Sequence, residues 1–73
     1  MTIKNNILFY VESVNGCAIH SERTITKARE IAIHDVGFDN FKSIRLATEN
    51  DVAWVSAMGG YVPDGKIYKP KRI

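Results

Sequence analysis

Cys17 and His20 are the closest pair of side chains in the sequence that could bind a transition metal. Zinc takes four ligands, typically supplied in close pairs, and the sequence holds no second pair of Cys or His residues. Both residues fall in a predicted strand, where side chains three positions apart point to opposite faces. His34 lies near the end of a predicted helix, where a cationic ring favours the negative helix terminus. We therefore expect neither a metal site nor a cofactor.

Residue types used in catalysis occur without their usual partners. His20-Ser21-Glu22 contains the components of a hydrolytic triad, but adjacency in sequence is not the spatial relay that the reaction needs. Cys17 follows a predicted turn and lacks the helix N-terminus that activates many reactive thiols. Gly59-Gly60 follows a predicted helix and lacks the lysine of a phosphate-binding loop. The sequence therefore predicts a protein that is not an enzyme.

Length and composition indicate one small globular domain over residues 1–73, with 45% hydrophobic and 25% charged residues. A chain of this length buries only about 60% of the surface that it exposes when unfolded. The single cysteine excludes an internal disulfide, which favours a reducing cytoplasm. The longest apolar run, Ile7 to Val11, is far shorter than the ~20 residues of a membrane-spanning helix, and the first residues lack a signal-peptide pattern. The general character is that of a bacterial or phage accessory protein, although no motif identifies a family.

The first predicted elements are two strands joined by a tight turn. Residues 7–13 alternate in polarity, with Phe9 and Val11 on the same face. Asn15-Gly16 is typical of a type I′ turn, because both residues tolerate positive φ. Residues 17–20 then return as a shorter second strand.

An amphipathic helix is predicted next, over residues 24–36. Its apolar residues recur at three- and four-residue spacing: Ile25, Ala28, Ile31, Ala32 and Val36. Ser21 or Thr24 can cap its start, and Gly37 suits the left-handed residue that follows a helix. We expect Phe38 and Phe41 to anchor the following loop onto the core.

Alternation over residues 42–47 predicts a third strand, and residues 49–58 allow either a strand or a second helix. The helix is favoured because Thr48 and Asp51 resemble a capping box and Gly59-Gly60 resembles a helix stop. Acidic residues at this helix start complement its positive end, whereas Mg²⁺ usually enlists more carboxylates or a phosphate.

The last predicted element is a small hairpin. Pro63-Asp64-Gly65 forms its turn, between residues 61–62 and 66–69. Pro70 has no amide to extend the pairing, so residues 70–73 are expected to fray as a basic tail. The predicted order is β-β-α-β-α-β.

This order predicts an α+β fold in the form of a two-layer sandwich. A mainly antiparallel sheet of three to five strands would carry both helices on one face. The opposite face would then stay open and polar, with the side chains of Tyr10, Glu12, Arg45 and Tyr68.

The apolar segment at residues 52–58 is the first candidate functional surface. Trp54, Val55 and Met58 could form core or an anchor of the kind that dominates protein interfaces. In so small a chain little can surround such a segment, which favours contact with an unidentified protein or with a second copy. The sequence therefore predicts a cytoplasmic protein-interaction module, with homodimerisation as one form of it.

The basic C-terminal segment supports an alternative function. The net charge is +2, and four of the ten Lys and Arg residues lie in the last eight positions. A weak nucleic-acid binder would combine phosphate contacts with base stacking. The residues available for these contacts are Lys66, Tyr68, Lys69, Lys71 and Arg72.

Overall fold

The computed structural model describes residues 6–68, so the predicted tail at residues 70–73 lies outside the described part. Residues 6–68 form three strands and two helices. In order they are β1 (Ile7–Ser13), β2 (Gly16–Glu22), α1 (Ile25–Val36), β3 (Phe41–Leu46) and α2 (Glu49–Ala57). The sheet is antiparallel and the class is α+β, as predicted.

The central strand of the sheet is β1, because the strand order is β2-β1-β3. Both neighbours run antiparallel to β1 and therefore parallel to each other. Helix α1 connects the two outer strands and contacts all three strands. The described strands therefore form one sheet whose two edges are β2 and β3.

Buried side chains lie on both faces of this sheet. Tyr10 pairs with Ile19 and Arg45, which places Leu8 on the same face as these residues. Phe9 and Val11 lie on the opposite face, and both are buried. Both faces are therefore covered along most of β1, and the Tyr10 face is open at Glu12, which is exposed.

The two helices cover different faces, so the prediction of both helices on one face is wrong. Val55 of α2 joins a buried cluster with Leu8 and Ile19. The buried residues of α1, Ala28 and Ala32, are not in that cluster, which places α1 on the face of Phe9. The sheet lies between two helical layers because apolar residues occur on both faces of β1.

The turn between β1 and β2 is not type I′, which corrects the prediction. Ser13 pairs with Gly16, so Val14 and Asn15 are the turn residues. No non-glycine residue in the described range has positive φ, whereas Gly16 has φ 131°. The Ser13 hydroxyl accepts from the Asn15 amide at 3.2 Å and donates to the Gly16 carbonyl at 3.2 Å. These bonds hold a turn in which only glycine takes the unusual φ.

Helix α1 begins at Ile25, one residue later than predicted, and ends at Val36 as predicted; of the two candidate caps, Thr24 is the one used. The Thr24 hydroxyl accepts from the Lys27 amide at 3.2 Å, while Ser21 donates to the Asp64 carbonyl instead. Phe38 does not anchor the next loop, because 76% of it is exposed. The loop is held by Asn40, whose side-chain amide donates to the Val36 carbonyl at 2.7 Å.

Residues 49–57 are helical, and both ends of α2 show the expected motifs. The Asp51 amide donates to the Thr48 hydroxyl at 3.1 Å, and the Thr48 amide donates to the Asp51 carboxylate at 2.8 Å. At the other end, the amides of Gly59 and Gly60 donate to carbonyls of the last helical turn. This is the Schellman arrangement, and the φ of 86° at Gly59 explains its glycine.

The predicted C-terminal hairpin does not form within the described residues. Lys66 instead makes a single parallel bridge to Ile7 at the start of β1. The Leu8 amide donates to the Lys66 carbonyl at 3.0 Å, and the Lys66 amide donates to the Asn6 carbonyl at 3.0 Å. Pairing with β1 therefore replaces pairing with residues 61–62.

Candidate interaction surface

Helix α2 exposes two large apolar side chains near its C-terminal end. Trp54 is 57% exposed and Met58 is 55% exposed. They are four residues apart, so they are neighbours on one side of the helical turn. We call this pair the Trp54 surface.

Val55 does not belong to the Trp54 surface, although the sequence grouped the three residues. It is 2% exposed and packs with Leu8, Ile19 and Ala47. A Cβ at Gly60 would lie 2.6 Å from the Val55 side chain, so the chain passes closely over it. Of the three predicted interface residues, Trp54 and Met58 are accessible to a partner and Val55 is core.

Tyr61 is an exposed aromatic residue outside the predicted protein interface of Trp54, Val55 and Met58. It follows the end of α2 and is 81% exposed. It borders a groove of about 390 Å³ that runs between the β2 edge and residues 60–63. The sequence feature that indicates its exposure is its position directly after Gly59-Gly60, the two glycines that end α2.

The same groove is bordered by Cys17 and His20. Cys17 pairs with Glu12 and His20 pairs with Phe9, so their side chains lie on opposite sheet faces. Within residues 6–68, no group of three or more potential metal ligands comes together. The groove therefore does not assemble these two residues into one reactive site.

Arg45 connects β3 to the start of α2. Its guanidinium binds the Asp51 carboxylate through two bonds, of 2.5 and 3.0 Å, and lies 4.5 Å from the centre of the Tyr10 ring. The expected open polar face is therefore occupied at this point by α2.

The contact with Arg45 lowers the pKa of Asp51 to about 2 and raises the pKa of Arg45. A side-chain hydrogen bond with Cys17 raises the pKa of Tyr10 to about 12.

The candidate nucleic-acid contacts are only partly described. Lys66 is exposed, with its backbone paired to β1, and Tyr68 is also exposed. Lys69, Lys71 and Arg72 lie outside the described residues. The structure therefore places two of the five residues and says nothing of the other three.

Comparison with known proteins finds no protein family, no curated protein and no solved structure that matches this chain. Among residues 6–68, neither helix has the length and apolar character needed to cross a lipid bilayer.

Proposed function

We propose that this chain is a cytoplasmic, non-catalytic protein-interaction module that contacts its partner through the Trp54 surface. One observation carries the proposal: a tryptophan is more than half exposed on a helix whose neighbouring position is an exposed methionine. Tryptophan dominates binding energy at many interfaces because it removes a large apolar area from water. Leaving it in solvent brings no benefit to folding.

The capping network of α2 supports this role, because it fixes the helix on which the two residues lie. Asp51 is held by the Thr48 amide and by Arg45 of the sheet, while Val55 anchors the helix to the core. A surface presented on a rigid element loses little conformational entropy on binding. The Trp54 surface is therefore preorganised for contact.

A pair of adjacent variants separates contact from packing. Trp54→Ala is expected to change the free energy of unfolding by less than about 0.5 kcal/mol, because the side chain is largely exposed. Val55→Ala is expected to lower it by roughly 1.5–3 kcal/mol through lost burial and a cavity. Chemical denaturation followed by circular dichroism measures both, and an equal loss in the two variants would assign Trp54 to the core.

Photo-crosslinking tests the contact itself. A benzophenone amino acid at Trp54 is expected to give a defined adduct in cell extract, or a crosslinked dimer with the purified chain. The matched control places the same probe at Phe38, which is also an exposed aromatic position. Adducts that are no stronger at position 54 than at position 38 would refute the proposal.

Nucleic-acid binding through Lys66, Tyr68 and the basic tail is the alternative function. It predicts an affinity for single-stranded nucleic acid that falls steeply with salt, and that is lost when Lys69, Lys71 and Arg72 are neutralised together. Binding that is absent, or independent of salt, would end this alternative. A Trp54→Ala variant with unchanged nucleic-acid affinity would separate the two functions.

A further inference from the structure

The outer edge of β3 is unpaired within the described part of the chain, since β3 pairs only with β1. The Ala47 amide donates to the Leu8 carbonyl at 3.0 Å, and Arg45 lies opposite Tyr10. The backbone groups of successive residues point to alternate sides of a strand. The amide and carbonyl of Ile44 and the amide of Leu46 therefore point away from β1. An edge with free amides and carbonyls is a template for another strand.

A groove lies beside this edge, between α1 and β3, with a volume of about 590 Å³. Apolar side chains from both elements line it, including Ile25, Ile33 and Ile44, together with the charged residues Arg29, Glu30 and Lys42. Ile25 is among the exposed large apolar residues of the chain. The groove offers apolar surface next to free backbone groups, which are the two requirements for strand addition.

We propose that β3 pairs antiparallel with β3 of a second copy of this chain, which joins the two sheets into one of six strands. A two-fold axis at Ile44 places Ser43 opposite Arg45 of the second copy, so no like charges face each other there. It also brings the two Ile44 side chains together on the α1 face. The groove carries two cations, Arg29 and Lys42, and one anion, Glu30, and a symmetric interface can pair Glu30 of each copy with a cation of the other.

This interface is separate from the Trp54 surface. The start of helix α2 reaches β3 through Asp51 and Arg45, whereas Val55, the neighbour of Trp54, packs with Ile19 of β2, the opposite edge of the sheet. A dimer formed through β3 would therefore carry two exposed Trp54 surfaces. Its test does not depend on whether the Trp54 surface binds a protein.

Solution mass and amide hydrogen exchange test the proposal on the unmodified chain. We expect a dimer by light scattering at concentrations up to about 1 mM, with the Ile44 and Leu46 amides protected from exchange in the dimer. A monomer throughout would overturn the proposal, and so would a dimer whose Ile44 amide exchanges freely. Protection of that amide in a monomer would assign the edge to another segment of the same chain.

Two charge variants at Ser43 distinguish pairing between copies from effects within one chain. Ser43 is exposed and lies opposite Glu12 in its own sheet. Ser43→Arg should weaken dimerisation about tenfold by facing Arg45 of the second copy, while it stabilises the monomer beside Glu12. Ser43→Glu should instead strengthen dimerisation by facing Arg45 of the second copy, and it should destabilise the monomer beside Glu12.

The control for these variants is Tyr61→Ala, which removes an exposed side chain beside the β2 edge and is expected to leave the dimer dissociation constant unchanged. Sedimentation measures the dimer, and thermal unfolding at low concentration measures the monomer. Dimer affinity that follows monomer stability in both Ser43 variants would overturn the β3 interface. Loss of the dimer in Trp54→Ala would place the contact on α2 instead.

Discussion

Phe9→Ala is expected to lose roughly 3–5 kcal/mol of unfolding free energy, the largest effect of any single truncation proposed for this chain. Phe9 is 2% exposed in the central strand. The buried residues of α1 above it are the small side chains Ala28 and Ala32, and Phe9 is the largest buried side chain on this face of the sheet. Proteins of this length have a total stability of only about 4–11 kcal/mol, so much of the variant should be unfolded under mild conditions.

Phe38→Ala is the matched control, because it removes the same side chain from a position that is 76% exposed. It is expected to change the free energy of unfolding by less than about 0.5 kcal/mol. Urea denaturation of both variants, followed by circular dichroism, makes the comparison. Similar losses at the two positions would contradict the assignment of Phe9 to the core under α1.

The second large effect is a loss of stability in acid that depends on Asp51. The Arg45 guanidinium holds the pKa of Asp51 at about 2, below its ordinary value of 3.8, so the folded state takes up this proton less readily than the unfolded state. The stabilisation is complete above pH 4 and is lost as the pH falls towards about 2. We expect it to be about 1–2 kcal/mol, less than the full shift implies, because the Arg45 side chain is 54% exposed.

Asp51→Asn and Asp51→Ala separate the charge from the helix cap. Asn retains a side-chain oxygen that can accept from the Thr48 amide, whereas Ala loses both the cap and the ion pair. Both variants should lose the stability change between pH 4 and pH 2, and Ala should be the less stable at pH 7. Unfolding curves at several pH values measure this, with Asp39→Asn, an exposed carboxylate in the α1–β3 loop, as the control. A variant that keeps the full acid transition would show that other carboxylates cause it.

Elements set by local chemistry could be predicted from the sequence. Helix α2 is the clearest case: its periodicity allowed a strand, but the Thr48 hydroxyl, the Asp51 carboxylate and the two glycines after it specify both helix ends. These signals act over three or four residues, so no knowledge of the remaining chain is needed. The bounds of α1 follow in the same way from Thr24 and Gly37.

The face on which a helix packs could not be predicted in this way. Apolar residues occupy nearly every position from 52 to 58, so α2 has no single stripe to direct it, and Val55 could not be separated from Trp54. In the sheet, Leu8 was the residue that indicated a second buried face, because it places an apolar side chain on the same face as Tyr10. The pairing of Lys66 with β1 joins residues far apart in sequence, which no local pattern reports.

The division of the core between two sheet faces has a consequence for synthesis on the ribosome. The layer beneath α1 has all its strands once β3 has emerged, whereas the layer beneath α2 also draws on Val62 and Ile67. Chains are made from the N-terminus and fold as their parts appear. A nascent chain can therefore close the Phe9 layer first, and the layer of Leu8 and Ile19 is completed only after Ile67 has left the exit tunnel.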